Sequence, residues 1–269
     1  YPLRRQRQMC IRDRGSIDLC KMAGLKPYGV ICEIINEDGT MARMDDLRKF
    51  QKEFDLELVS VEEVKRYRLE NEIFVQPSGK AKLPTPQGNF EVEAFLDPVT
   101  NSEHLCLIYG DILKNPSPIV RIQSSCMTSE VFGSLRCDCQ KQLEASMNLI
   151  RENGSGLLIY LNQEGRGIGL FEKIRAYRLQ DQGFNTCQAN LELGHKDDER
   201  DYYVAIQILK HYGVFSFELL TNNPRKLAPL KKHFNVLRKP ILVSNIGDEA
   251  TKYLKTKFDL MGHLGETHD

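Results

Sequence analysis

The chain lacks several features that are typical of nucleic-acid-binding and membrane proteins. Tryptophan is absent, aromatic residues make up 8%, and 37 basic residues are balanced by 37 acidic ones. Zero net charge excludes a general polyanion-binding surface, and few aromatic side chains are available to stack on bases. No apolar run approaches the roughly 20 residues of a membrane span, and no secretory signal is visible. We therefore expect a cytoplasmic protein without a nucleic-acid or membrane partner.

The start of the chain has an unusual composition. Residues 1–14, YPLRRQRQMCIRDR, do not begin with Met, carry five Arg and one Asp, and show no helical or strand period. We interpret them as a non-native segment ahead of a truncated fragment; a basic arm is the alternative. The total length of 269 residues suits one large or two modest domains.

The pattern of apolar residues predicts an α/β fold class, a mixed sheet with flanking helices. The first unit, residues 15–70, is predicted to be a small α/β fragment. It combines a helix in SIDLCKMAGLKP ended by Gly24 and Pro27, a buried strand in YGVICEII, a turn in NEDGT and an amphipathic helix in MDDLRKFQKEFDL. A Pro/Gly/Lys-rich linker follows at 71–80.

The main domain, residues 81–264, is predicted to begin with α+β character, because FEVEAF and LCLIYG alternate like antiparallel strands. Farther along, strands such as GLLIYL and FELLT alternate with helices. The helix in GIGLFEKIRAYRLQDQG is predicted to carry Leu170, Ile174 and Tyr177 on one stripe and to end at Gly183. Residues 265–269 form a tail.

Three cysteines have a spacing that suits a metal ion. Cys126, Cys137 and Cys139 lie in SSCMTSEVFGSLRCDCQKQLE, where Cys-Asp-Cys brings two sulfurs together. A closed structural zinc site takes four protein ligands, whereas a catalytic site takes three and leaves the fourth position to water. The nearest further candidates, Cys106 and His104, belong to a separate segment. The spacing favours a catalytic zinc site, with buried thiols or redox cysteines as alternatives.

Two loops follow predicted strands directly and could bind an anion. In NQEGRGIG, glycines allow close backbone approach, Arg166 can bind an anion and Glu164 can accept from a base's amine and ring N–H. In TNNPRK, Thr221, Lys226 and the free amides of a helix start suit a triphosphate. Ligands gather at the carboxyl ends of strands in open α/β sheets, so each loop supports the other. The alternatives are a tight strand-to-helix turn and an Asn cap beside a solvated lysine.

The charge run GHKDDERDYY contains a third candidate group, Asp198 with Arg200. Acidic residues suit the start of a helix, so a solvated helix terminus is the alternative interpretation. His195 in the same run is expected to lie at the surface rather than to act as a ligand.

Several of these motifs together resemble GTP cyclohydrolase II. They are SSCMTSEVFGSLRCDCQKQLE, YLNQEGRGIGL, KIRAYRLQDQG, DDERDY and LLTNNPRK, and the likeness runs from about Lys80 to Gly262. The preceding segment, SIDLCKMAGLKPYGVICEIINEDGTMARMDDL, resembles the C-terminal end of dihydroxybutanone phosphate synthase. That enzyme is fused upstream of the cyclohydrolase in bifunctional riboflavin-biosynthesis proteins.

The resemblance implies hydrolytic opening of the guanine imidazole ring of GTP, the first step of riboflavin biosynthesis. Formate, pyrophosphate and 2,5-diamino-6-ribosylamino-pyrimidinone 5'-phosphate are the implied products. The family also implies a homodimer, one Zn²⁺ per subunit on Cys126, Cys137 and Cys139, and Mg²⁺ with the GTP phosphates. A catalytically silent, zinc-stabilised GTP-binding domain is the alternative.

The resemblance also assigns roles to individual residues. Asp198 corresponds to the family's proton acceptor, Tyr177 to a tyrosine near the reacting nucleotide, and Arg200 to a proposed nucleophile at the α-phosphorus. Since arginine has a pKa above 12, electrostatic clamping of the α-phosphoryl group is a second possible role for Arg200. The implied GTP-binding residues are Arg121, Ile122, Gln123, Ser124, Ser125, Gln142, Glu164, Gly165, Arg166, Thr186, Thr221 and Lys226.

The chain departs from the two families at several positions. Where many relatives read Arg-Val-His-Ser-Glu-Cys, it has Gln123 and Ser125, so we expect neither an imidazole nor a carboxylate beside the cysteines. The first unit lacks the synthase's acidic metal-binding loop and reads RGSIDLC in place of Gly-His-Thr-Glu-Ala; only Glu33 matches a catalytic position. We therefore predict no synthase activity.

Overall fold

The computed structural model describes residues 11–196, 198–241 and 243, with only the backbone of residues 11–13. Residues 1–10 of the segment interpreted as non-native, and the predicted tail, lie outside the described residues. The chain divides into two compact units, Tyr1–Glu72 and Ile73–Asp269. Among the described helices, none combines the length and the apolar character that crossing a membrane requires.

The described part of the first unit is helical. Helix α1 spans Ile11–Met22, α2 spans Met44–Phe54 and α3 spans Val61–Asn71. The predicted helix ahead of Gly24 is confirmed, although α1 begins earlier, at Ile11. Helix α3 starts with a capping box, in which the Ser60 hydroxyl accepts from the Glu63 N–H and the Glu63 carboxylate accepts from the Ser60 N–H.

The prediction of a buried strand in YGVICEII is wrong. Residues 28–34 form no strand, Tyr28 is 80% exposed, and Ile35 makes a single bridge to Met41 around the predicted NEDGT turn. An apolar strand is stable only when neighbouring strands satisfy its backbone groups and a packed layer covers it. The described residues of this unit provide no such neighbour.

In the second unit, the described residues form one mixed sheet of seven strands in the order β1-β2-β3-β5-β4-β6-β7. The pairs β1/β2, β2/β3 and β3/β5 are antiparallel. The pairs β5/β4, β4/β6 and β6/β7 are parallel. The strands are β1 Gln76–Thr85, β2 Gly88–Asp97, β3 Ser102–Tyr109, β4 Ile119–Ser124, β5 Gly156–Leu161, β6 Ser216–Leu220 and β7 Asn235–Lys239. The predicted mixed sheet is confirmed, as is the antiparallel pair β2 and β3.

Strand β1 occupies most of a Pro- and Lys-rich stretch that includes part of the predicted linker 71–80. It accommodates Pro77 and Pro84 because, among the described strands, it lies at the edge of the sheet and pairs with β2 alone, so a missing N–H breaks no central ladder. The register between β1 and β2 also shifts between Pro77 and Lys80, as expected for a bulge at a sheet edge.

Helices cover both faces of the sheet. They are α4 Met127–Glu130, α5 Cys139–Glu152, α6 Gly169–Asp181, α7 Thr186–Glu192, α8 Tyr203–His211 and α9 Leu227–Lys231, with 3₁₀ turns at Glu164–Gly167 and Pro224–Lys226. Successive residues of β5 point to opposite cores: Leu157 and Ile159 pack in the cluster with α8, and Leu158 packs in the cluster with α5. This two-sided burial explains the continuous apolar run GLLIYL.

The apolar stripe predicted on α6 is not its buried side. Leu170 and Ile174 are exposed, whereas Lys173 and Ala176 are buried. The helix therefore turns a lysine towards the interior, where the candidate site lies.

Candidate active site and metal centre

Three adjacent parallel strands end at one edge of the sheet and carry the loops of a single cavity. Ser125 and Cys126 follow β4, the loop 162–167 follows β5, and Thr221 to Asn223 follow β6. The predicted residues that line this cavity are Arg121, Gln123, Ser124, Ser125, Cys126, Cys137, Cys139, Gln142, Glu164, Gly165, Arg166, Tyr177, Thr186, Arg200, Thr221 and Lys226. Ile122 is instead fully buried in the core, and Asp198 lines a second pocket, to which Arg200 also contributes.

The three predicted cysteines converge. The Sγ atoms of Cys126, Cys137 and Cys139 all lie within 4.8 Å of one another, and those of Cys126 and Cys137 are 3.7 Å apart. Metal–sulfur bonds of about 2.3 Å in tetrahedral geometry place two sulfurs about 3.8 Å apart, and all three cysteines are free of disulfides. The sulfur positions therefore fit a tetrahedrally coordinated metal ion that is bound by three cysteines.

One of the three thiols is favoured as a thiolate. Hydrogen bonds from Cys137 and Cys139, together with the nearby Lys173 ammonium, lower the pKa of the Cys126 thiol. The pKa of Cys137 is raised, chiefly because its hydrogen bond to Cys126 keeps its own proton in place. These shifts favour a negatively charged cluster, whose charge a cation can neutralise.

Lys173 is a functional candidate that the sequence reasoning missed. Its Nζ donates to Glu164 Oε1 at 2.7 Å, to Thr128 Oγ1 at 2.9 Å and to Cys126 Sγ at 3.2 Å. Burial disfavours its charge, but the Glu164 carboxylate and the Cys126 thiolate outweigh burial and raise the pKa of Lys173. The only sequence signal was its position one turn before Tyr177 on the same helix.

Tyr177 stands beside the cysteine cluster. Its hydroxyl lies 3.2 Å from Thr128 Oγ1, and the Arg136 guanidinium is 4.7 Å from the centre of its ring. Burial raises the pKa of the Tyr177 hydroxyl, so this group keeps its proton at neutral pH.

Arg121 is a buried cation with neutral partners. It donates to Gln123 Oε1 at 3.0 and 2.6 Å, to Gln142 Oε1 at 2.7 Å and to the Leu220 carbonyl oxygen at 3.0 Å. Burial lowers the pKa of Arg121 to about 10, which leaves it charged at neutral pH. A buried cation held by neutral amides makes this end of the cavity attractive to an anion.

The expectation that no carboxylate lies beside the cysteines is wrong. Glu130 accepts hydrogen bonds from the Cys126 N–H at 3.1 Å, from Gln123 Nε2 at 2.9 Å and from the Tyr160 hydroxyl. Glu130 stands one helical turn after Cys126, and that turn brings its carboxylate back to the cysteine backbone. Gln123 thereby links this carboxylate to Arg121.

The loop after β6 is also buried. Lys226 is 6% exposed, and its Nζ donates to the Ile122 carbonyl oxygen at 2.7 Å, so the alternative of a solvated lysine is wrong. Asn223 caps the following turn by accepting from the Arg225 N–H at 2.9 Å. Thr221 is buried beneath this turn and accepts from the Asn223 N–H at 3.0 Å.

Asp198 and Arg200 form a two-point ion pair. Arg200 Nε donates to Asp198 Oδ1 at 2.8 Å, and Arg200 Nη2 donates to Oδ2 at 2.6 Å. Their side chains are 9% and 14% exposed, so the alternative of a solvated helix terminus is wrong. Burial opposes ionisation of Asp198, but Arg200 outweighs it and lowers the pKa of that carboxyl.

Comparisons with known proteins agree with the two-part organisation. The family model for GTP cyclohydrolase II matches residues 76–236, and the model for 3,4-dihydroxy-2-butanone 4-phosphate synthase matches residues 7–67. Riboflavin biosynthesis protein RibBA of Bacillus cereus is 45% identical over 251 residues, and that of Bacillus cytotoxicus is 44% identical over 251. Both alignments cover 93% of this chain, which spans 63% of the relatives' length.

One solved structure is also similar to this chain. It is the crystal structure of RibBX from A. baumannii, a two-domain 3,4-dihydroxy-2-butanone 4-phosphate synthase. The match has a TM-score of 0.49 and 24% sequence identity, and it covers 84% of this chain and 57% of that one.

Proposed function

Because the chain belongs to the GTP cyclohydrolase II family, with a fragment of 3,4-dihydroxy-2-butanone 4-phosphate synthase ahead of that domain, we propose that it hydrolyses GTP. The products would be formate, pyrophosphate and 2,5-diamino-6-ribosylamino-pyrimidinone 5'-phosphate, in a riboflavin pathway. The observation that carries this proposal is one cavity in which three cysteine sulfurs stand with two buried cations, Arg121 and Lys226. The same cavity would thereby contain both a metal centre for ring opening and an anion site for the triphosphate.

Zinc is the metal that best suits the three thiols, since soft thiolate ligands at these separations favour it and three ligands leave a position open. When bound there, zinc supplies the Lewis acidity that activates water at neutral pH. Magnesium is proposed as the counter-ion of the GTP phosphates, for which it is the usual partner in nucleotide sites.

The protein's own groups would handle protons and the base. Asp198, ionised because Arg200 lowers its pKa, is the proposed proton acceptor. Tyr177, which keeps its proton because burial raises its pKa, is the proposed donor near the reacting ring. Glu164 is proposed to read the guanine edge, and its carboxylate is oriented by the Met127 N–H at 2.7 Å and by Lys173.

For Arg200 we favour electrostatic clamping of the α-phosphoryl group over nucleophilic attack. Two hydrogen bonds to Asp198 stabilise the charged guanidinium, and a nucleophilic nitrogen would have to lose that charge. A cation of this kind stabilises charge that develops on a transferring phosphoryl group. Recovery of a guanylylated Arg200 peptide after quenching a turnover reaction would assign the nucleophilic role instead.

The test is an assay of the purified full chain with GTP, zinc and magnesium, in which formate and pyrophosphate are measured in parallel. Equal release of both products, abolished by a chelator, is the expected result. GTP binding with neither product would assign the silent GTP-binding alternative. Absence of both binding and turnover would overturn the proposal.

Three further properties are proposed with this function. The chain is a cytoplasmic homodimer, which light scattering of the purified protein and fractionation of cells can test. It has no synthase activity, because only Glu33 matches that family's catalytic positions and Glu33 lies in the exposed segment where the predicted strand is missing. Formation of the butanone phosphate from ribulose 5-phosphate would contradict this.

A further inference from the structure

A buried amide in the cavity has one end held and the other end unpaired. Asn223 is 4% exposed and lines the cavity, yet it belongs to none of the predicted contacts. Its Oδ1 accepts from the Arg225 N–H at 2.9 Å. Because a backbone N–H can only donate, the amide must present its oxygen there and turn its NH₂ group elsewhere. Within the described residues, that buried Nδ2 has no hydrogen-bond partner.

The main chain of Asn223 is also fixed within this turn. The Asn223 N–H donates to Thr221 Oγ1 at 3.0 Å, and the Asn223 carbonyl oxygen accepts from the Lys226 N–H at 3.3 Å. Rotating the side chain to satisfy Nδ2 would break the cap on Arg225. The donor is therefore directed by the turn and not by a partner of its own.

The neighbouring asparagine shows the contrast. Asn222 Nδ2 donates to the Ile241 carbonyl oxygen at 2.7 Å, and Asn222 Oδ1 accepts from the Ile241 N–H at 3.0 Å. Both ends of that amide serve the fold. Buried polar groups in native proteins are nearly always paired, so an unpaired buried donor on a residue that lines a cavity points to a ligand acceptor.

The surroundings decide what kind of acceptor this is. Lys226 is buried three residues farther along the same turn, and buried Arg121, whose hydrogen bonds go to neutral acceptors among the described residues, lines the same cavity. Two buried cations disfavour a ligand group that carries positive charge and favour an anionic oxygen. A phosphate oxygen offers both the negative charge and an accepting lone pair.

We propose that the Asn223 NH₂ group is a substrate-binding group that donates a hydrogen bond to a phosphate oxygen of the nucleoside triphosphate. The proposal rests on the proposed function for the identity of the nucleotide, and it adds a residue that recognises the phosphate chain but not the base.

The test is Asn223→Asp in the full chain. The aspartate keeps the oxygen that caps Arg225 but replaces the donor with a second, negatively charged acceptor. We expect the Kd for GTP to rise at least roughly 10-fold, because a hydrogen bond to a charged group is lost and the new carboxylate repels the phosphate. The Kd for guanosine, which has no phosphate, should stay within a factor of about two. Calorimetric titration measures both.

The matched control is Asn115→Asp, which adds the same charge away from the cavity. Asn115 Oδ1 accepts from the Ser117 N–H at 3.0 Å, and Asn115 Nδ2 donates to the Ser155 hydroxyl at 2.8 Å. The hydroxyl can donate to an aspartate instead, so this variant should fold and bind GTP like the unmodified chain.

Two outcomes overturn the proposal. One is an unchanged Kd for GTP in a folded Asn223→Asp protein with the same melting temperature; the other is an equal loss of GTP and guanosine binding. If Asn223→Asp does not fold, Asn223→Ala, which removes the NH₂ donor and leaves no other donor in its place, decides by the same ratio. Failure of the unmodified chain to bind GTP would refute the proposed function instead, and tripolyphosphate would then serve as the probe for Asn223.

Discussion

Lys173 lies on helix α6 and Cys126 lies in the loop after β4, yet the lysine Nζ is 3.2 Å from the cysteine Sγ. The same ammonium is 2.7 Å from Glu164 Oε1, and both side chains of that ion pair are 10% exposed. One buried cation therefore compensates two negative groups, one from the cysteine cluster and one from the loop after β5. Its removal should affect the fold and the metal site together.

We expect Lys173→Met to destabilise the protein by about 3–5 kcal/mol, the usual cost of breaking a buried ion pair by removing one partner. The reason is that Glu164 stays buried without its counter-ion. Urea unfolding measures the change. Arg175→Met on the same helix removes only an exposed pair with Glu172 and should cost about 1 kcal/mol or less. Similar losses for both variants would contradict the buried role of Lys173.

Replacing one cysteine of the cluster should abolish tight metal binding. Cys137→Ser removes one of the three sulfurs, so the zinc content measured by mass spectrometry should fall from about one per chain to near zero. A metal present at 100 times its Kd stabilises the folded state by about 2.7 kcal/mol, so chelation should lower the melting temperature of the unmodified chain.

The matched control is Cys32→Ser, which changes an exposed cysteine of the first unit. It should retain zinc and respond to the chelator, whereas Cys137→Ser should melt at the same temperature with and without chelator. Full zinc occupancy in Cys137→Ser would remove Cys137 from the ligand set.

Gly167 allows the loop after β5 to approach the segment that carries Asp198 and Arg200. A Cβ at Gly167 would lie 3.0 Å from the Glu199 carbonyl carbon and 3.2 Å from the Arg200 nitrogen, and the Glu199 N–H donates to the Arg166 carbonyl oxygen there. We expect Gly167→Ala to displace the Asp198–Arg200 pair and to lower kcat at least about 10-fold, as small displacements of catalytic groups do. Zinc content should be unchanged.

Gly169→Ala separates this displacement from backbone strain. Both glycines have a positive φ, +97° at Gly167 and +87° at Gly169, so alanine strains both. At Gly169 a Cβ meets nothing within 4 Å. Gly169→Ala should therefore show the cost of the backbone strain alone, and only Gly167→Ala should lose turnover; equal kinetic losses would refute the argument.

The free energy of unfolding should decrease as the pH is lowered, because of a buried histidine. His104 Nδ1 accepts from the Asn162 N–H at 3.1 Å, and burial lowers the pKa of His104 despite the opposing charge of Asp97. The unfolded chain, where the pKa is about 6.5, then takes up the proton more readily than the folded chain. The stabilisation is complete above that value and is lost progressively as the pH falls below it.

His104→Gln checks this directly, since glutamine can accept from Asn162 but does not titrate. Urea midpoints measured from pH 7.5 to pH 5 should fall less steeply for this variant than for the unmodified chain. Parallel curves would show that His104 does not contribute to the acid sensitivity.

Local patterns in the chain were enough to predict much of the main domain. The continuous apolar run GLLIYL predicted β5, because a strand that is buried on both faces has apolar residues at successive positions. The alternating FEVEAF predicted β2, because a strand that is buried on one face alternates apolar and polar residues. Likewise, Cys126, Cys137 and Cys139 are close in sequence, so their spacing alone predicted a cluster. Loops that directly follow parallel strands also had to reach one edge of the sheet.

Long-range contacts decided the rest. Whether YGVICEII pairs, and whether a proline-rich stretch forms an edge strand, depends on which partner strands are present. The inward position of Lys173, the contact of Glu130 with Gln123, and the direction of the Asn223 amide depend on groups that meet only after folding. No period or spacing encodes such contacts, because each is set by the packing of several segments at once.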